Sequence, residues 1–164
     1  MVLNKYYRKK TATTVWLSVA ILVQIFVFTG DTVYSANRIK VVVLGDSLTA
    51  GYGLKKQDAF PFKLAAALIS SGRSVQVINA GVSGDTSAGG RSRLSWALTD
   101  NPQLVIIELG ANDGLRGLDP SETKANLNAV LNDLKKRKIK VLLTGMLAPP
   151  NLGKEYSREF GQIF

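Results

Sequence analysis

The chain has 164 residues, 46% of them hydrophobic and 20% charged, with 21 Lys and Arg against 12 Asp and Glu for a net charge of +9, and it contains neither cysteine nor histidine. This composition suits one domain that buries a core and excludes a disordered chain. The missing cysteine excludes a disulfide framework and thiolate chemistry, and the missing histidine removes the commonest metal ligand and general base.

Residues 1–35 differ from the rest. Lys5, Arg8, Lys9 and Lys10 precede an uncharged apolar stretch from Thr11 to Gly30, and the segment then turns polar and small up to Ser35 and Ala36. A charged start, an apolar centre and a small-residue end predict a signal peptide cut between Ser35 and Ala36, and hence an exported, periplasmic or secreted domain over residues 36–164. The alternative is an uncleaved membrane anchor, since about 20 uncharged residues can span a bilayer. Without this segment the chain keeps 17 basic and 11 acidic residues, a net +6. Much of that excess lies in Lys135–Lys140, where cations at a helix end complement its dipole. No basic patch with interleaved aromatics points to nucleic acid.

Strands are predicted at Ile39–Leu44, Ser74–Ile78, Leu104–Leu109 and Lys140–Thr144, with helices at Phe60–Ile69 and Ser121–Lys136 and a third over Ser87–Leu98. The helix after Asp119 has a clear start: Asp119 can cap, Pro120 suits the first turn, and Glu122 places an acid at the positive end. This alternation predicts an α/β fold with a doubly wound, flavodoxin-like parallel sheet. In such sheets ligands bind at the carboxyl edge of the strands. Three polar, glycine-containing loops fall on that edge, Gly45–Thr49, Asn79–Ser87 and Gly110–Gly114.

The first loop lacks both phosphate-binding glycine patterns, and Thr49 stands where a nucleophile elbow would place its last glycine. What remains is Ser47 at a helix start. It either caps the helix or is a nucleophile whose oxygen is favoured by the helix dipole and free amides.

The three loops resemble the blocks of the SGNH, or GDSL, hydrolases. Gly45-Asp46-Ser47-Leu48 is similar to the first, Asn79 through Gly84 to Thr86 to the second, and Gly110-Ala111-Asn112-Asp113 to the third. The resemblance is strongest to the periplasmic arylesterase, lysophospholipase and acyl-CoA thioesterase branch. It implies a serine esterase or thioesterase that hydrolyses small ester or acyl substrates through an acyl-enzyme, with no metal and no organic cofactor. Ser47 would be the nucleophile and an oxyanion N–H donor, with Gly84 and Asn112 supplying the other oxyanion donors. Asp46 and Asp113 would hold their loops.

The family's fourth block, Asp-x-x-His, has no counterpart here. The resemblance therefore implies a domain cut short at its carboxyl end, without its final strand and helix, ending in a helix over Glu159–Phe164. Losing a triad member leaves about 10³ to 10⁴-fold catalysis over water in a serine protease, so a weak or inactive form is expected. No Ser-x-x-Lys pattern supplies a substitute base. A carbohydrate deacetylase of the same fold and a non-catalytic acyl-binding fragment are the alternatives.

Overall fold

A computed structural model describes residues 38–164. The signal-peptide and anchor readings of residues 1–35 therefore lie outside the described residues. Among those described, no helix is long and apolar enough to cross a membrane.

Four parallel strands, β1 (Ile39–Gly45), β2 (Val75–Gly81), β3 (Leu104–Glu108) and β4 (Lys140–Leu143), form one sheet in the order β2-β1-β3-β4. The chain starts in the middle, steps to one edge, then returns past β1 to the other side. The loops after β1 and β3 consequently leave the sheet side by side at its carboxyl edge.

The middle strands consist of β-branched and aliphatic residues because both their faces are covered. On one face Val42, Leu44, Val105 and Ile107 pack against Leu94, Ala97 and Leu98 and against Leu127, Val130 and Leu134. On the other, Val41, Val43 and Ile106 meet Leu64. Leu94 and Ala97 belong to α4 (Leu94–Ala97), which follows α3 (Ser87–Ser92) and is capped by Leu98; Leu127, Val130 and Leu134 belong to α6 (Pro120–Lys136), and Leu64 to α2 (Phe60–Ser70). Two single-turn helices complete the carboxyl edge, α1 (Ser47–Ala50) and α5 (Ala111–Leu115), and α7 (Lys154–Gly161) follows β4.

Three expectations are corrected. The helix over Ser87–Leu98 is interrupted at Arg93, whose backbone leaves helical geometry while its side chain reaches toward the sheet. β2 runs three residues beyond Ile78, because Asn79, Ala80 and Gly81 stay in register with Val43, Leu44 and Gly45. The helix expected through Phe164 ends at Gly161, after which Phe164 folds back near Gly110. The start of α6 is as predicted, with Asp119 accepting from Ser121 N–H at 2.8 Å and Pro120 in the first turn.

Candidate active site

Asp46, not Ser47, caps α1. Its carboxylate accepts from Leu48 N–H at 2.9 Å, and Ser47 is the first residue of the turn. The capping explanation of Ser47 is thereby removed. Ser47 is half-buried, and among the described residues neither its hydroxyl nor its N–H meets a partner. With only four residues, α1 carries little of the dipole expected from the sequence.

Gly84 sits at the tip of the second loop with φ +85°, a conformation that favours glycine. Its carbonyl accepts from Arg116 at 2.9 Å. Its N–H meets no acceptor among the described residues. Asn112 lies in α5, where its Nδ2 donates to Asp46 Oδ2 at 3.1 Å and to the Asp85 carbonyl at 2.9 Å. One amide thus ties the third loop to the first and the second.

The two aspartates hold loops. Asp113 is 2% exposed; it accepts from Ser87 N–H at 2.8 Å, Ser87 Oγ at 2.5 Å and Thr123 Oγ1 at 3.2 Å. The start of α3 is thereby fixed to α5 and α6.

Two residues that the sequence reading passed over complete the frame. Arg93 spends its guanidinium on Asp85 at 2.5 Å, on the Ala80 carbonyl at 2.7 Å and on the Gly45 carbonyl at 2.8 Å, pinning the ends of β2 and β1. Glu108 lies under α1, where Oε2 accepts from Thr49 Oγ1 at 2.8 Å. Burial pushes its carboxyl above the usual glutamate range; the Thr49 hydroxyl opposes this and the Asp46 charge adds to it. An acid ending an otherwise apolar strand was the available signal for Glu108. For Arg93 the sequence offered none, since its partners lie 8 to 48 residues away.

The SGNH fold is also found in solved relatives. A crystal structure of AlinE4, an SGNH-hydrolase family esterase, superposes with a TM-score of 0.75 at 52% identity, covering 77% of this chain and 68% of that one. The arylesterase of Vibrio mimicus is 44% identical over 126 residues, 76% of this chain and 63% of the relative. The thioesterase 1/protease 1/lysophospholipase L1 of Escherichia coli strain K12 is 39% identical over 125 residues, 76% of this chain and 59% of the relative. The chain spans about three-fifths of the length of these curated relatives. The model of the GDSL-like lipase/acylhydrolase family matches residues 43–163, a stretch that holds every side chain of the cross-linked site, and the chain belongs to that family.

Proposed function

We propose that this chain carries the nucleophile and oxyanion portion of a serine ester hydrolase acting on carboxylic esters or thioesters. The observation that carries the reading is Ser47 itself: a half-buried serine at the sheet's carboxyl edge that no capping role explains. The esterase and thioesterase names of the relatives support the substrate class.

In the proposed reaction Ser47 Oγ attacks the acyl carbon as its proton passes to a base, and the carbonyl electron pair moves onto the carbonyl oxygen. Ser47 N–H and Gly84 N–H offer uncommitted donors to that oxygen, and Asn112 Nδ2 is a third donor once it releases the Asp85 carbonyl. Collapse expels the leaving group, which takes up that proton as the alcohol or thiol, and leaves an acyl-serine that water cleaves to the carboxylic acid and free Ser47. No histidine is present among the 164 residues, so the general base is not assigned to any of them. Export through residues 1–35 belongs to the same reading, supported by their charge and hydropathy pattern.

The test is labelling by an alkyl phosphonate, read by intact mass. The wild-type chain is expected to take one equivalent slowly, at Ser47, and Ser47→Ala none. In a form completed with the family's Asp-x-x-His block, Asn112→Ala should keep the label while hydrolysis of aryl esters or acyl thioesters falls roughly 10² to 10³-fold, as for loss of one oxyanion donor. A label placed elsewhere, or retained in Ser47→Ala, overturns the assignment. Cleavage after Ser35 is checked by the mass of the chain recovered from a secreting host.

A further inference from the structure

Glu108 ends β3 beneath the turn that carries Ser47, and the proposed reaction gives it no task. It is 7% exposed. Oε2 accepts from Thr49 Oγ1 at 2.8 Å and from Asp46 N–H at 3.4 Å, joining the start and middle of α1 to β3. Oε1 is buried and meets no partner among the described residues. The space is closed on the β1 side, since a Cβ on Gly45 would lie 2.6 Å from Glu108 Oε2 and would collide with Thr49 Oγ1.

The charged groups near this acid are committed elsewhere. Asp46, at the junction of β1 and α1, faces Leu48 N–H and Asn112 Nδ2. Arg93, between α3 and α4, is bound to Asp85 and to the carbonyls of Gly45 and Ala80. Asp113, on α5, is bound to Ser87 and Thr123. Among the described residues no cation forms an ion pair with Glu108. An unpaired buried carboxylate costs far more than the neutral acid, which here leaves only one O–H without a partner.

From this geometry we propose that Glu108 is a positioning residue for the nucleophile: as a neutral acid protonated on Oε1 it holds α1 on β3, and its ionisation loosens the turn bearing Ser47. The proposal rests on the reading of Ser47 as nucleophile only for its consequence in rate. Its structural part stands separately. On ionisation the proton leaves to solvent, and the new charge faces Asp46 with only Thr49 and the Asp46 N–H to stabilise it.

The experiment is a pH titration of the chain labelled with ¹³C in glutamate side chains and ¹⁵N in the backbone, with Glu108→Gln identifying the resonance. The Glu108 carboxyl is expected to titrate above the ordinary glutamate range, and the amide signals of Ser47, Leu48 and Thr49 to move with it. Glu108→Gln, which keeps a neutral acceptor, should hold those amides near their acid-side positions at every pH. The ratio of variant to wild-type phosphonate labelling rates should be near one below the transition and rise on the order of tenfold or more above it, since small misplacements cost up to about 100-fold. A carboxyl titrating in the ordinary range, or turn amides indifferent to its titration, overturns the proposal, and both are read from the wild type alone. If Ser47 never labels, the nucleophile reading fails while the amide shifts still decide what Glu108 does.

Discussion

Replacing Asp113 separates its shape from its charge. Its two oxygens accept three hydrogen bonds, from Ser87 N–H, Ser87 Oγ and Thr123 Oγ1, and both partner residues are fully buried. Asp113→Ala removes all three and leaves the Ser87 N–H without a partner, which should cost about 3–5 kcal/mol. In Asp113→Asn the new carbonyl can still accept from Ser87 N–H, while the new amide points at the two hydroxyls. Those hydroxyls can rotate to accept. Ser87 Oγ already accepts from Asn126 Nδ2 at 3.2 Å, however, so its own proton is left without an acceptor. The expected loss is smaller, about 1–3 kcal/mol. Equilibrium urea unfolding of the wild type and both variants measures the difference. Equal stability of wild type and Asp113→Asn would refute the reasoning, because it would mean that acceptor count at this position does not hold α3 to α5.

Gly81→Ala should destabilise by about 1–3 kcal/mol in the same assay, because its Cβ would sit 2.7 Å from Thr49 C and 2.8 Å from Ala50 Cα, backbone atoms that cannot step aside; a stabilised variant would contradict this. Arg93→Lys keeps the charge but not the planar fork, so at most part of the link among Asp85, Ala80 and Gly45 survives, and the chain should lose about 1–3 kcal/mol against urea. Asp119 has its carboxyl held below the usual aspartate range by the Ser121 N–H, so its contribution is present above the unfolded value and is lost as pH falls through the folded one. Asp119→Ala should therefore melt lower at neutral pH, with the gap closing in acid, and a pH-independent gap would rule out the cap as its cause.

The parts of the fold legible in the sequence are those set by local pattern. Val41–Val43 and Val105–Ile107 could be read as buried strands because both their faces are apolar, and Asp119-Pro120 marks a helix start whatever packs around it. The break at Arg93 was not legible. Leu94 and Leu98 have helical spacing just after it and give no sign of a break, and the side chain that accompanies the break contacts strand ends distant in sequence. Ser47 shows the same limit. Gly-Asp-Ser announces a helix start, but which of Asp46 and Ser47 caps it is decided by backbone geometry, and that choice distinguishes a structural serine from an available one.

Asp46 also bears on how Asn112 could serve the proposed reaction. Both Nδ2 hydrogens are committed, one to a carboxylate and one to the neutral Asp85 carbonyl. Bonds to charged acceptors are roughly twice as strong as those between neutral groups. A developing oxyanion therefore competes poorly for the hydrogen on Asp46 Oδ2 but well for the one on the Asp85 carbonyl. The Asp46 bond would then keep the amide aimed while the other hydrogen turns to the substrate, at the cost of one neutral hydrogen bond. Ser47 N–H and Gly84 N–H need no such exchange, since no partner among the described residues has to be released. On this account the aspartate beside the nucleophile works twice, as cap for the turn that presents Ser47 and as anchor for the side-chain donor.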